Sequence, residues 1–261
     1  MSETLDGPIH PDPHGVHRRR YARTPSPRRR APRARWLWLL WLPLAFVLGS
    51  VVLVGALRWW SPPMTAFMTT AWLEARLAGA RDFELRQRFV PLAAQPPWLA
   101  VAVIAAEDQK FPRHRGFDVA AMRAAYREHQ QGARLRGAST ITQQLAKNLF
   151  LWSGRSWARK GLEAWFTVLL ETLLDKRRIL ELYVNLVEFG PGIYGAEAAS
   201  RRFFGHGATT LRAEEAALLA AVLPSPRSYD AAAPGSYVRA RQRWILAQMR
   251  QLGGARLLQT L

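Results

Sequence analysis

The segment Glu107-Asp-Gln-Lys-Phe-Pro-Arg-His-Arg-Gly-Phe-Asp118 places three carboxylates and an imidazole within twelve residues. It follows residues 98–106, an apolar run without Gly or Pro that predicts a buried helix. Glu107 and Asp108 therefore lie where that helix ends, and partial burial there raises the pKa of a carboxyl group towards neutral pH, as a general base requires. Most acidic pairs mark only a solvated helix end. Here a loop with Pro, Gly and His114 follows, and functional groups concentrate in such loops.

A second polar segment, residues 137–148, reads Gly-Ala-Ser-Thr-Ile-Thr-Gln-Gln-Leu-Ala-Lys-Asn. In a helix, Thr140, Gln143 or Gln144, and Lys147 share one face, because residues three and four apart are neighbours. Their hydroxyl, amide and ammonium groups make a donor-rich surface suited to phosphate or sugar oxygens. An ordinary polar helix face is the alternative that this segment alone leaves open.

A third cluster is cationic and consists of Arg155, Arg159 and Lys160, with Glu163 close behind. Glu163 is spaced to pair with Arg159 and Lys160 on a helix, but each such surface pair contributes only about 0.2–0.5 kcal/mol. If these cations converge with Lys147, they form an anion site strong enough for a diphosphate. Glu163 then either holds a divalent metal or orients the cations.

The three segments, together with Ile179-Leu-Glu-x-Tyr-x-Asn185, resemble the ordered motifs of the peptidoglycan glycosyltransferases, most of all the monofunctional biosynthetic peptidoglycan transglycosylases. The other three motifs are Glu107-Asp-x-x-Phe-x-x-His-x-Gly116, Gly137-x-Ser-Thr-Ile-x-Gln-Gln-x-x-Lys-Asn148 and Arg159-Lys-x-x-Glu163. The resemblance covers residues 62–226, and four motifs in the same order and spacing make it specific.

This resemblance implies a mainly α, lysozyme-like fold and an enzyme that polymerises lipid II, the undecaprenyl-diphosphate-linked disaccharide pentapeptide, into a growing glycan strand. It implies that Glu107 takes the proton from the 4-hydroxyl of the acceptor sugar, whose oxygen attacks the anomeric carbon of the donor with inversion. The lipid diphosphate then leaves, in contact with Lys147 and Arg155. Glu163 is implied as a second essential acid that holds a divalent metal, Mg²⁺ or Mn²⁺. The other implied substrate-binding residues are Asp108, Phe111, His114, Ser139, Thr140, Gln143, Gln144, Asn148, Arg159 and Lys160.

Residues 36–57 form a 22-residue apolar stretch without a charge, which at 1.5 Å per residue spans a hydrocarbon core of about 30 Å. Nine arginines against three acids in residues 1–35 predict, by the positive-inside rule, that this end stays cytoplasmic. The apolar stretch is longer than that of a cleaved signal peptide. We therefore predict a disordered basic cytoplasmic tail (1–35), a single transmembrane anchor (36–57) and a periplasmic catalytic domain (58–261). The resemblance places this chain in the cell inner membrane.

The formal net charge of +18 predicts binding to polyanions. The arginine-rich tail has a single aromatic residue, Tyr21, and no nucleic-acid-binding motif, which argues against nucleic acid as a partner. Anionic membrane phospholipid and the lipid diphosphate fit the charge better. The sequence leaves open whether other cell-wall synthesis or division proteins bind.

Outside the motifs, the sequence from residue 62 onward predicts helices and no alternating strand. Residues 157–187 predict one long helix or two helices with a joint near residues 175–178. Thr210 is predicted to cap a helix that ends at Leu223, and residues 236–252 predict a last amphipathic helix. Glu181 and Glu197 are predicted to be helix-anchoring or buried, paired residues before either is considered catalytic.

Two other functions stay open from the sequence. A lysozyme-like murein hydrolase would also use a glutamate on a helical scaffold, but it has no need for a diphosphate-binding cation cluster. An inactive membrane-anchored cell-wall scaffold has no need for intact Glu107 and Glu163. The sequence contains no Ser-x-x-Lys and no Lys-Thr-Gly motif, so covalent reaction with β-lactams is not expected.

Overall fold

The computed structural model describes residues 34–132, 139–154 and 156–261, with side chains from residue 41 onward. Most of the tail predicted to be disordered, and Arg155 of the predicted cation cluster, lie outside the described residues. The chain divides into two compact units, residues 1–44 and 45–261, and every described candidate site residue belongs to the second. Among the described residues, no helix is long and apolar enough to cross a membrane. The domain boundary predicted at residue 58 stays a prediction.

The predicted mainly α fold class is confirmed by the described ranges, which contain ten α-helices and three very short strands. The helices are α1 (Ala34–Ala56), α2 (Ala66–Leu77), α3 (Pro97–Glu107), α4 (Val119–Gln130), α5 (Ile141–Phe150), α6 (Trp157–Leu173), α7 (Lys176–Leu186), α8 (Ala196–Phe204), α9 (Ala213–Val222) and α10 (Ser236–Gln251). Short 3₁₀ helices occupy Leu92–Ala94, Ala208–Thr210 and Gly254–Thr260.

A small three-stranded sheet corrects the prediction that the chain has no strands. β1 (Arg86–Gln87) pairs in parallel with β3 (Ile193–Tyr194), and β2 (Glu188–Gly190) pairs with β3 in the antiparallel sense. Strands of two or three residues are too short to show the alternation of period two that marks a strand in a sequence. The sheet joins the segment before α3 to the segment after α7.

The core is built around α3, whose residues 99–105 are all buried. This apolar helix packs against α7, α9 and α10, while α5 packs against α2, α6 and α7. A helix that is apolar on all sides is stable only when other helices surround it. The C-terminal end of α3 is consequently held in a fixed place, and the residue at that end is Glu107.

The starts of α7 and α9 test two of the predicted helix boundaries. Residues 157–187 form two helices: α6 ends at Leu173, and Asp175 caps α7 by accepting a hydrogen bond from the amide of Arg178 at 2.7 Å. The cap predicted at Thr210 is wrong, since that residue ends a 3₁₀ turn and α9 begins at Ala213. The carboxylate of Glu215 instead accepts a hydrogen bond from the amide of Arg212 at 2.9 Å.

Glu181 and Glu197 are confirmed as anchoring residues. The Glu197 carboxylate is 3% exposed, accepts the amide of Ala208 at 2.6 Å and pairs with Arg201 at 2.6 Å. Glu181 accepts the amide of Leu92 at 2.8 Å and pairs with Arg178. Both carboxylates therefore fasten loops to helices.

Gly195 precedes α8 with φ +80°, and a Cβ atom there would collide with the carbonyl oxygen of Asn185. Gly205 ends the same helix at φ +78° but has open space around it. Gly205→Ala is expected to lower the free energy of unfolding by about 1–2 kcal/mol, because a non-glycine residue is strained in the left-handed conformation. Gly195→Ala also forces the new methyl group against Asn185, so it is expected to lower the free energy of unfolding by about 3–4 kcal/mol. Urea unfolding of both variants measures the difference, and equal costs would show that the Asn185 contact relaxes freely.

Candidate active site

Glu107 is the last residue of α3 and is mostly buried, with 13% of its side chain exposed. Gln144 donates a hydrogen bond from Nε2 to its Oε2 at 2.9 Å. Burial raises the pKa of Glu107 above its ordinary value, and the hydrogen bond from Gln144 and the charge of Arg241 lower it by less. A carboxyl group in this setting is suited to exchange a proton near neutral pH.

A hydrogen-bond chain fixes the orientation of the Gln144 amide. Tyr183, on α7, is fully buried and donates from its hydroxyl to Gln144 Oε1 at 2.8 Å. Burial keeps the pKa of Tyr183 well above its usual value, so the hydroxyl remains a donor. Since the amide oxygen accepts from Tyr183, the amide nitrogen faces Glu107. Tyr183 lay within a recognised motif, but its spacing in the sequence did not indicate this contact.

Arg241, on α10, is a site residue that the sequence did not predict. Its Nη2 lies 3.4 Å from Glu107 Oε1 and 3.2 Å from the carbonyl oxygen of Ala106. The side chain is 22% exposed, and its Nε is buried without a hydrogen-bond partner among the described residues. The residue stands 134 positions from Glu107 in a helix rich in arginine, so no local pattern could single it out.

Asp108 joins α3 to the start of α5. Its carboxylate contacts His114 Nε2 at 2.9 Å and accepts the amide of Ile141 at 3.1 Å. Thr140 caps α5, forms a capping box with Gln143 and donates to the carbonyl of Gly116 at 2.6 Å. These contacts bury the polar atoms of Asp108, Thr140 and Gln143, which therefore hold the site together.

Phe111 requires a correction, because its side chain is completely buried. The ammonium group of Lys176 lies 4.3 Å from the centre of its ring. A direct contact between Phe111 and a substrate is therefore contradicted, and its part is to support the loop that carries His114. The aromatic side chain in the motif is explained by packing.

Two clefts meet at Gln144. The first has a volume of about 620 Å³ and holds Glu107, Ser139 and Arg241 on its lining. The second has a volume of about 370 Å³ and holds Lys147 and Asn148. Pro224 and Gln144 line both, so the two clefts adjoin, with the acid in one and the ammonium group in the other.

Of the predicted cation cluster, Lys147 lies on α5, and Arg159, Lys160 and Glu163 lie on α6. Glu163 is 3% exposed and contacts Arg159 Nη1 at 2.9 Å and Lys160 Nζ at 2.5 Å. Burial lowers the pKa of Lys147, the charge of Glu163 raises it, and the charges of Arg159 and Lys160 lower it. Helices α5 and α6 pack on each other. Three cations against one acid leave an excess of positive charge for an anionic ligand.

The described residues do not fit a metal held by the protein alone. Both oxygens of Glu163 already contact cations. In the ranges that the structure describes, no group of three or more His, Cys, Asp or Glu side chains is arranged to hold an ion. Divalent magnesium and manganese prefer several oxygen ligands and no adjoining cations.

Known proteins are similar to this chain over most of its length. A family model described as transglycosylase matches residues 75–250. A biosynthetic peptidoglycan transglycosylase of Xanthomonas campestris pv. campestris (strain B100) is 52% identical over 238 residues, 91% of this chain and 95% of the relative. A biosynthetic peptidoglycan transglycosylase of Stutzerimonas stutzeri (strain A1501) is 55% identical over 221 residues, 85% of this chain and 89% of the relative.

Proposed function

The chain belongs to the transglycosylase family and is a peptidoglycan glycosyltransferase, and we propose that it polymerises lipid II with Glu107 as the general base. The observation that carries this proposal is the mostly buried Glu107, held by Gln144 and Arg241 in a cleft that adjoins the one lined by Lys147. The predicted lysozyme-like fold is part of the same proposal.

In the proposed reaction, the Glu107 carboxylate accepts the proton of the 4-hydroxyl of the acceptor sugar. The oxygen attacks the anomeric carbon of the donor, a new glycosidic bond forms with inversion, and the bond to the diphosphate oxygen breaks. The diphosphate leaves with the electron pair, and Glu107 later returns its proton to water. Gln144 and Arg241 hold the carboxylate in one orientation, which saves the entropy of arranging it.

The cation cluster supports the departure of the diphosphate. Lys147 lines the second cleft, and Arg159 and Lys160 both contact Glu163 on α6, the helix that packs on the one carrying Lys147. Positive charges fixed before the reaction stabilise the negative charge that develops on the leaving group. We include Arg155 in this role from its place in the sequence. The predicted Mg²⁺ or Mn²⁺ ion stays a prediction, and no step is assigned to it.

We propose that the enzyme acts in the cell envelope as an inner-membrane protein, anchored by residues 36–57, with its catalytic domain in the periplasm. Exposed apolar side chains on α1, such as Leu48, Val52 and Leu53, and the exposed Trp59 and Trp60 beyond it support contact with phospholipid.

The chain has no cysteine, so sidedness can be measured with single introduced cysteines. A membrane-impermeant thiol reagent added from the periplasmic side is expected to label Ser228→Cys and to spare Ser26→Cys. Labelling of both residues, or of Ser26→Cys alone, would contradict the proposed topology.

Incubation of the detergent-solubilised protein with labelled lipid II tests the proposed function. We expect a polymer that lysozyme digests, since lysozyme cleaves the glycan bond that the enzyme makes. Cleavage of preformed glycan without polymer formation would instead indicate a hydrolase, and binding of lipid II without turnover would indicate a scaffold. The relatives are named biosynthetic, which favours polymerisation over hydrolysis.

Arg241→Gln is expected to raise the pKa of Glu107, because the charge and the hydrogen bond that lower it are both lost. The base must be ionised, so activity falls as the pH drops through this pKa. The acid limb of kcat/KM should therefore move to higher pH in the variant. Arg239→Gln, an exposed neighbour on α10, is the matched control and should leave the limb in place. An unmoved limb in Arg241→Gln would contradict the assigned role.

A further inference from the structure

The first cleft extends beyond Glu107 between α4 and α10. The α4 wall consists of Ala121, Ala124 and Ala125, with Glu128 further along. These small side chains leave room for a ligand instead of filling the cleft. The opposite wall, formed by α10, carries larger side chains: two aromatic rings and a guanidinium group.

Tyr237, Arg241 and Trp244 share one face of α10, because they stand four and three residues apart. Tyr237 is 51% exposed and Trp244 is 45% exposed, although both line a cleft. Seven residues of α-helix rise about 10 Å, the length of about two linked pyranose rings. The two rings therefore offer apolar surface along a path that leads to Glu107.

Both rings are held in place by neighbours. Tyr237 stacks on Tyr229 with a centroid distance of 5.2 Å and an interplanar angle of 27°. The guanidinium group of Arg241 lies 6.0 Å from the centre of the Trp244 ring and also reaches Glu107. A ring supported in this way loses little entropy when a ligand binds to its exposed part.

The composition of this cleft fits a carbohydrate. The apolar face of a pyranose ring packs on an aromatic ring, and its hydroxyl and acetamido groups need polar partners. Glu128 and Ser139 offer such partners on the same lining, beside Glu107 and Arg241. An acyl chain fits poorly, because four polar or charged side chains around it would lose water without a hydrogen bond in return.

We propose that Tyr237 and Trp244 form a saccharide-binding platform for the acceptor, holding the two amino-sugar rings that end in the reacting hydroxyl. The inference rests on the proposed function, since the acceptor brings its hydroxyl to Glu107. Lys147 lines the other cleft, so the donor diphosphate and the acceptor sugars approach the reaction centre from different sides. Arg241 connects the platform to the base.

The first test measures binding of a soluble β-1,4-linked oligomer of N-acetylglucosamine to the full-length protein in detergent, by calorimetry. Tyr237→Ala and Trp244→Ala are each expected to weaken binding about five- to tenfold, because each loses the contact of one aromatic ring with one sugar ring. Trp244→Phe keeps a ring and should recover most of the affinity. Tyr126→Ala removes a ring that is 61% exposed on α4 outside the cleft, and it should bind like the wild type.

The second test measures polymerisation of labelled lipid II by the same variants. Removing a ring should raise KM for the acceptor several-fold with a smaller change in kcat, because the platform binds ground state and transition state alike. Unchanged oligomer binding in folded Tyr237→Ala and Trp244→Ala would overturn the platform, as would a wild-type protein that binds no oligomer. If wild-type protein makes polymer while these variants bind normally, only the platform fails. If it makes no polymer but binding depends on Trp244, the proposed function fails and the saccharide site stands.

Discussion

Replacing Glu107 with glutamine is expected to slow glycan polymerisation by about 10³- to 10⁴-fold, the upper part of the range for a positioned general base. Glutamine keeps the shape and can still contact Gln144 and Arg241, but it cannot accept the proton of the acceptor hydroxyl. Lipid II binding should change little. Single-turnover kinetics at saturating lipid II separates the two effects, since binding then no longer limits the rate.

The fold should tolerate this substitution. Burial raises the folded-state pKa of Glu107 above its ordinary value of 4.5, so the folded protein binds the proton more tightly than the unfolded chain does. Stability from this group is therefore lost as the pH rises through the folded pKa, and the neutral amide avoids that loss. Thermal unfolding of Glu107→Gln at pH 7 should occur at the wild-type temperature or above.

Glu84→Gln, which changes an exposed glutamate, is the control for activity. A turnover rate close to that of the wild type in Glu107→Gln would end the assignment of the base.

Replacing Lys147 with alanine is expected to lower the rate by about 10²-fold, as the loss of one fixed donor to developing charge does in other enzymes. Lys147 lines the second cleft, and its helix packs on α6, which carries Glu163, Arg159 and Lys160. Its removal leaves fewer charges for the diphosphate, so the dependence of donor binding on salt should also weaken. Rates and donor affinity measured at two ionic strengths check both expectations.

Lys110→Ala is the matched control for this variant, because Lys110 is a half-exposed lysine that pairs with Asp118. It should leave the rate and the salt dependence unchanged. Donor affinity in Lys147→Ala equal to that of the wild type would contradict the role of the cation cluster.

Much of the candidate site follows from local sequence. A breaker-free apolar run predicted a buried helix that ends at Glu107, and the structure has α3 end there. Helical spacing also brought Arg159, Lys160 and Glu163 together as predicted. Both results depend on contacts within a few residues of one helix, where spacing alone fixes the neighbours.

Other features depend on contacts that spacing does not encode. Thr140 and Gln143 were expected on a ligand-binding face, yet they cap α5, since a Thr three residues before a Gln also satisfies the capping box. Arg241 reaches Glu107 only because α10 packs on α3. The three strands form only where distant segments meet, and each is too short to leave a pattern.

The role of Glu107 is tested most directly by a parallel incubation of wild type and Glu107→Gln with labelled lipid II. Bound lipid II and polymer are both quantified before and after lysozyme digestion. Both proteins are expected to bind lipid II equally, and the wild type alone to make lysozyme-sensitive polymer. Polymer formed at equal rates by both proteins, or by neither, would contradict the claim that Glu107 is the base of a glycan polymerase.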